Sequence, residues 1–258
     1  RLLITGAGGF LGSRICEYFS GRDGYEAVGV THRELDIEDF VAVSALVKAI
    51  RPDYVLHCAA ISNTGACERN PVLSEKVNVR GTVNLAKACR KAGSRMIFTS
   101  SDQIYNTSHS MEPNREGSEG KPGNVYGRDK KRAEEAMLTY LPDAVALRLT
   151  WKYDAPSRGS AAGPGLLQKL ADAVKDRREV EFPVHDYRGI TYVWEVVRHL
   201  EEAMGLPGGV YNFGSENRYN TFDTARLILR ELAGSDFGGI LKRNGDGFAS
   251  RPRTMNME

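Results

Sequence analysis

The chain has no long apolar run. Nowhere do its 258 residues approach the roughly 18 consecutive apolar positions that a membrane-spanning helix needs, so no membrane partner is expected. Cysteine is scarce. Cys16, Cys58, Cys67 and Cys89 are scattered and form no Cys-x-x-Cys pair, which argues against a disulfide framework or a zinc site. They read as reduced thiols of a cytoplasmic protein. Histidine is sparse too: His32, His57, His109, His185 and His199 show no metal-ligand spacing, and no metal is expected. Neither sign of charge dominates, with 35 basic against 33 acidic residues and a formal net charge of +2. No basic run marks a nucleic-acid footprint. No secretory leader is recognisable, and the chain opens at Arg1 directly on an apolar strand. The initiator methionine, with a residue or two, is therefore expected to be missing.

What is present is ordinary for a globular protein: 41% hydrophobic and 26% charged residues, enough for one large or two small domains. Residues 1–150 alternate strand and helix patterns. Leu2-Leu3-Ile4, Ala27–Val30, Tyr54–His57, Met96–Thr99 and Ala144–Leu149 are short apolar runs suited to buried parallel strands. Leu11, Ile15, Tyr18 and Phe19 recur at helical spacing, as do Phe40, Val43, Leu46, Val47 and Ile50. Val77–Ala92 reads as one long helix closed by Gly93, and Tyr126–Thr139 as another. Residues 106–124 are polar and read as a loop. This alternation predicts an α/β doubly wound parallel sheet. After Thr150 the pattern weakens. Residues 155–165 are rich in Gly, Ala, Pro and Ser and read as mobile. A helix over Val193–Met204 and a strand over Val210–Phe213 resume it. The expected division is a dinucleotide-binding domain of residues 1–150 plus about 190–213, and a smaller C-terminal lobe of about 151–189 plus 214–258.

The first strand runs into Gly6-Ala7-Gly8-Gly9-Phe10-Leu11-Gly12, with Gly6, Gly9 and Gly12 spaced as G-x-x-G-x-x-G. Between a strand and a helix, such glycines allow a tight turn and let backbone N–H groups approach a pyrophosphate. Gly6, Gly9, Phe10, Leu11 and Gly12 are the candidate contacts of an NAD(P)-binding Rossmann fold, although an ordinary strand-helix turn shares the pattern. An NAD site commonly carries an acid at the tip of the second strand. Here that strand ends Val30-Thr31-His32-Arg33, without a carboxylate. Arg33 suits a 2′-phosphate, so NADP(H) is preferred and NAD(H) is allowed; Arg33 also reads as a solvated loop residue. Asp36 faces either the adenine end or the cap of the next helix.

Tyr126 and Lys130 lie four residues apart on a predicted helix and share a face. A tyrosine of ordinary pKa near 10 is a poor acid–base group, and a neighbouring ammonium is expected to lower it. The spacing alone carries little: with 11 tyrosines, about one accidental Tyr-x-x-x-Lys is expected. Its weight comes from placement after the Met96–Thr99 strand, which ends Thr99-Ser100-Ser101-Asp102 at the ligand-binding edge of the sheet. Ser101 is placed to hydrogen-bond a substrate oxygen that gains or loses charge. Ser101, Tyr126 and Lys130 are the candidate catalytic set. Asp102 either assists proton transfer or caps a turn. Arg188 and Arg251 are the candidates for a diphosphate. His57, inside an apolar strand, reads as a core histidine.

These residues resemble an extended short-chain dehydrogenase/reductase, and within that superfamily the dTDP-4-dehydrorhamnose reductase-like group of nucleotide-sugar enzymes. The resemblance covers nearly the whole chain. It runs through the glycine loop, Leu35-Asp36-Ile37, Pro52-Asp53, His57-Cys58-Ala59-Ala60, Glu68 and Val77-Asn78-Val79. It continues through Ser100–Tyr105, Tyr126–Lys130, Arg188–Val193 and Arg251-Pro252-Arg253. It implies that Ser101, Tyr126 and Lys130 are the catalytic triad. Ala59 and Ala60 would line the cofactor, Asn78 would support the site, and the smaller lobe would bind the nucleotide sugar. The implied reaction is reduction of a 4-keto sugar on a nucleoside diphosphate, with a homodimer allowed.

Two departures narrow the reading. Gln103 stands where the group's reductases usually carry a tyrosine near the sugar, which loosens the tie to rhamnose. It also stands where related dehydratases carry a glutamate base, which argues against dehydration. Two alternatives stay open: an epimerase that keeps NAD bound, and a cofactor-binding regulatory subunit without turnover, like the beta subunit of methionine adenosyltransferase. The chain stops soon after Arg251-Pro252, so a C-terminal segment is expected beyond it.

Overall fold

The computed structural model describes residues 1–154, 165–234, 239–245 and 248–258. The segment expected to be mobile, 155–165, lies outside the described residues except for Gly165. In chain order, the first half comprises β1 (Leu2–Thr5), α1 (Phe10–Ser20), β2 (Ala27–Val30), α2 (Phe40–Ile50) and β3 (Tyr54–His57). It continues with the short α3 (Thr64–Arg69) and α4 (Pro71–Glu75), then α5 (Thr82–Ala92), β4 (Arg95–Ser101), α6 (Val125–Tyr140) and β5 (Val145–Leu149). The second half holds β6 (Trp151–Tyr153), α7 (Leu166–Lys175), β7 (Val180–Pro183), β8 (Asp186–Tyr187) and β9 (Ile190–Tyr192). It closes with α8 (Val193–Arg198), α9 (Leu200–Met204), β10 (Gly209–Phe213), α10 (Thr221–Ala233), β11 (Leu241–Asn244) and β12 (Arg253–Thr254).

Six strands form one parallel sheet in the order β10-β5-β4-β3-β1-β2. The expected doubly wound α/β fold is what the chain adopts. Alternate residues of each strand feed opposite faces. Leu3, Val55, Phe98 and Ala146 pack under α2, α5 and α6, whereas Leu2, Ile4, Leu56, Ile97 and Leu147 pack under α1, α8 and α9. Burial on both faces explains why these strands read as unbroken apolar runs. The remaining strands pair in twos, β6 with β9, β7 with β11 and β8 with β12, and the first two pairs pack on a separate core of Leu170, Phe182, Phe222 and Leu229.

Strand order reverses between β1 and β3, so a crevice opens at their carboxyl ends. Two local features differ from the sequence pattern. The helix expected over Val77–Ala92 begins as a π-helical turn, Lys76–Gly81, before regular α5. Asn78 sits in that turn, and such turns widen the backbone where a side chain must reach inward. The helix expected over Val193–Met204 is broken at His199, whose backbone (φ −88°, ψ 4°) separates α8 from α9.

Candidate active site

The glycine loop crosses the crevice. Gly6 has φ +70°, a left-handed conformation, and a Cβ there would lie 2.7 Å from the Ala59 amide nitrogen at the end of β3. A Cβ on Gly12 would lie 2.2 Å from the Gly6 carbonyl oxygen, so α1 can close on the loop only if that residue is glycine. Helix α1 starts after Gly9 with no side-chain cap, leaving its first N–H groups for a ligand. This cradle fits a dinucleotide pyrophosphate, with Gly6, Gly9, Phe10, Leu11 and Gly12 around it. Ala59 lies against the loop and Ala60 follows it. Buried Asn78 secures this segment indirectly: its Oδ1 accepts from Ile61 N at 2.9 Å and its Nδ2 donates to Ile61 O at 3.1 Å. It fixes the backbone after β3 through Ile61.

At the β2 tip the structure corrects the sequence reading. A carboxylate does occupy it: Glu34 folds back and accepts from Thr31 N and Thr31 Oγ1, both at 2.8 Å. Those bonds hold its pKa below the ordinary value. Arg33 is exposed beside it. Asp36 is also exposed and accepts from Glu38 N at 2.9 Å, while the cap of α2 is Asp39. Asp36 therefore closes the turn and does not cap the helix.

Ser101, Tyr126 and Lys130 come together at the end of β4. Ser101 terminates that strand; its hydroxyl donates to Asp102 Oδ1 at 3.2 Å and accepts from Gln103 N at 3.2 Å. Helix α6 is set by two caps: Asn124 Oδ1 accepts from Gly127 N at 2.7 Å, and Glu68 Oε1 accepts from Val125 N at 2.6 Å. Its register then puts Tyr126 and Lys130 on the buried face. Gly127 permits the close approach, since a Cβ there would lie 2.5 Å from Gln103 O. Lys130 Nζ donates to Thr99 O at 2.8 Å and lies 4.5 Å over the Phe98 ring and 5.7 Å from the Tyr126 ring centre. Behind α6, Arg148 of β5 grips Glu134 at 2.7 Å and Tyr105 Oη at 2.6 Å, all three buried.

The electrostatics correct a second expectation. Lys130 does not lower the Tyr126 phenol. Burial, and secondarily the Asp102 carboxylate, raise that pKa well above its ordinary value. Lys130 itself is brought down to about 8, chiefly by burial, with repulsion from Lys152 adding to it. The ammonium is spent on Thr99 O and on aromatic faces, and a phenol buried beside a carboxylate holds its proton. His57 is neutral, its pKa pushed down to about 3 by burial; Thr5 Oγ1 lies 2.8 Å from one ring nitrogen and Thr82 Oγ1 3.1 Å from the other.

The four residues expected to contact substrate diverge. Asp102 is buried against Ser101. Arg188 Nη2 donates to Asp102 Oδ2 at 3.3 Å, which places Arg188 at the reacting end. Gln103 is taken up by protein partners: its Oε1 accepts from Asn124 at 2.8 Å and Asn106 at 3.4 Å, and its Nε2 faces Met255 Sδ. Arg251 is exposed, whereas half-buried Arg253, two residues on, bonds buried Asp186 at 2.8 Å. Lys152 escaped the sequence reading. A lysine flanked by Trp151 and Tyr153, just beyond an apolar strand, was the signal available. Glu68 was marked only by the family resemblance, and Glu134 by nothing, because their partners Val125 and Arg148 lie well away in sequence.

A parallel doubly wound sheet, a glycine cradle at its switch point and a Ser-Tyr-Lys set at the adjacent edge define the class of extended short-chain dehydrogenase/reductase architectures. The chain belongs to the family of the RmlD substrate binding domain, whose model matches residues 1–258. It is 31% identical over 242 residues to the dTDP-4-dehydrorhamnose reductase of Mycobacterium tuberculosis, covering 90% of this chain and 75% of that one. It is 32% identical over 236 residues to methionine adenosyltransferase 2 subunit beta of Xenopus laevis, covering 87% and 70%. Its fold matches that of dTDP-4-dehydrorhamnose reductase from Bacillus anthracis in complex with NADP, with TM-score 0.87 and 22% identity over 100% of this chain and 90% of that one.

Proposed function

We propose that the chain is an NADP(H)-dependent reductase of a dTDP-linked 4-keto sugar. The observation that carries this reading is the convergence of Ser101, Tyr126 and Lys130 beside the glycine cradle. Relatives named as reductases of such sugars support it. The cofactor would lie with its pyrophosphate on Gly6–Gly12, its adenosine end at Arg33, and its nicotinamide end toward Lys130 and Ala59. When bound, it supplies the hydride.

The remaining work falls to this chain's own side chains. Ser101 Oγ donates a hydrogen bond to the carbonyl oxygen and so stabilises the charge that grows there. Tyr126 Oη donates the proton to that same oxygen. The buried phenol carries its proton at neutral pH, and the negative charge that develops on the substrate oxygen as hydride arrives draws that proton off. Lys130 holds the strand end through Thr99 and orients the nicotinamide ribose. The smaller lobe, residues about 151–189 plus 214–258, holds the nucleotide sugar. No described helix is long and apolar enough to cross a membrane, and the cytoplasm is the proposed compartment.

The test is NADPH and NADH oxidation with a panel of 4-keto nucleotide sugars. Turnover that disappears in Tyr126→Phe supports the reading; undiminished turnover in that variant overturns the mechanism. The similarity to a methionine adenosyltransferase subunit favours one second reading, a regulatory subunit without turnover. NADPH binding with no oxidation on any sugar nucleotide, together with a stable partner enzyme, would establish it.

A further inference from the structure

Three cationic side chains reach the reacting end of the site. Among the described residues, a single carboxylate is bonded to any of them. Arg188 Nη2 bonds Asp102 Oδ2 at 3.3 Å, its guanidinium lies 4.8 Å over the Trp151 ring, and its Nε is buried without a partner. Lys130 bonds only the Thr99 carbonyl. Half-buried Lys152 has one long bond, 3.4 Å to the Thr150 carbonyl.

The strand registers explain why these groups meet. Leu149 of β5 pairs with Ser101, and Trp151 of β6 pairs with Ile190. The chain thus carries Lys152 past Ser101 to the segment that presents Arg188. The Lys152 ammonium is held below its ordinary pKa by burial; Asp102 attracts it and Arg188 repels it. The other buried acids near these groups have partners of their own: Glu134 with Arg148, Asp129 with Ser74, Asp154 with Arg14 and Asp186 with Arg253. Stability alone would favour an apolar residue over a second desolvated cation here. An incoming anion would relieve the repulsion between the Lys152 and Arg188 cations.

We infer that Lys152 and Arg188 form an anion subsite beside Asp102, and that the sugar ring of the substrate carries a carboxylate which this subsite takes. This rests on the reading of the site as a sugar-nucleotide site. Lys152 is then the residue that determines specificity, because it stands at the ring end of the ligand.

The test uses dTDP-glucose and dTDP-glucuronate, which lack a keto group and differ only in the ring substituent. Their shared diphosphate cancels in the comparison. Each is titrated calorimetrically into the NADP-saturated protein. We expect dTDP-glucuronate to bind about tenfold tighter. Lys152→Met brings the ratio to about one, with the loss confined to dTDP-glucuronate, and Lys152→Arg restores the preference. A wild-type ratio of one or below overturns the inference. So does an equal loss of both ligands in a Lys152→Met protein whose melting curve is unchanged. Binding of dTDP-glucose without carboxylate preference leaves the proposed function standing and removes only this inference. If neither nucleotide binds, both fall.

Discussion

Lys130 Nζ donates to the Thr99 carbonyl at 2.8 Å while the Tyr126 ring lies 5.7 Å away. The lysine is tied to the strand that ends in Ser101, more than to the tyrosine. Its pKa is brought down to about 8, so its charge is at risk within the working range of pH. The sign follows directly. Below about 8 the ammonium is present and holds the site; above it the charge is lost. The profile of kcat/KM should therefore fall on an alkaline limb near pH 8. Lys152→Met should move that limb upward, because repulsion from Lys152 contributes to the depression. A limb unmoved in the variant would show that Lys152 does not reach Lys130 electrostatically.

Tyr126→Phe removes the proton donor and leaves the buried ring in place. Turnover should fall by about 10²–10⁴-fold. NADPH affinity, followed by cofactor fluorescence, should stay within about twofold, since the glycine cradle is untouched.

Gly12→Ala puts a methyl group 2.2 Å from the Gly6 carbonyl, against backbone that cannot step aside. Helix α1 must then shift away from the loop. The expected outcome is loss of NADPH binding by at least about tenfold, read by titration, with the far-ultraviolet dichroism unchanged.

Glu134→Gln leaves Arg148 as a buried charge facing Tyr105 without its counter-ion. Breaking one partner of such a pair costs about 3–5 kcal/mol. For a chain of this size the melting temperature should drop by roughly 10 °C. Activity measured well below the new midpoint should fall less than in Tyr126→Phe, because Glu134 acts on the back of α6.

His57 binds a proton at about pH 3 in the folded protein against 6.5 as its ordinary value. The unfolded chain therefore takes up the proton first as pH falls. Stability from neutral His57 is complete above about 6.5 and is lost progressively toward 3. His57→Gln should flatten the dependence of unfolding free energy on pH in that window, as measured by urea titration. An unchanged slope would place the acid sensitivity elsewhere.

Most of the architecture was legible along the chain. Strands buried on both faces leave short apolar runs, and the glycines of a dinucleotide loop must fall at local, fixed spacings. Gly6, Gly9 and Gly12 therefore announced the cradle, and the order of Ser101, Tyr126 and Lys130 announced the candidate set. Capping chemistry within one turn, such as Asn124 to Gly127, is local in the same way.

What the chain did not disclose depended on distance and burial. Glu34 reaches the β2 tip by folding back onto Thr31, a geometry that no residue count at the strand end could supply. Gln103 sits beside Ser101 in sequence, yet its amide is consumed by Asn124, Asn106 and Met255. The charge states were the least legible. The Tyr-x-x-x-Lys spacing implied a lowered phenol, whereas burial and Asp102 raise it. Desolvation depends on everything packed around a group, and spacing reports only the nearest neighbours. Local order along the chain determined the fold class, the cradle and the Ser-Tyr-Lys order. Only tertiary packing decided which of those groups hold a proton, and that Arg188 comes to the Asp102 carboxylate.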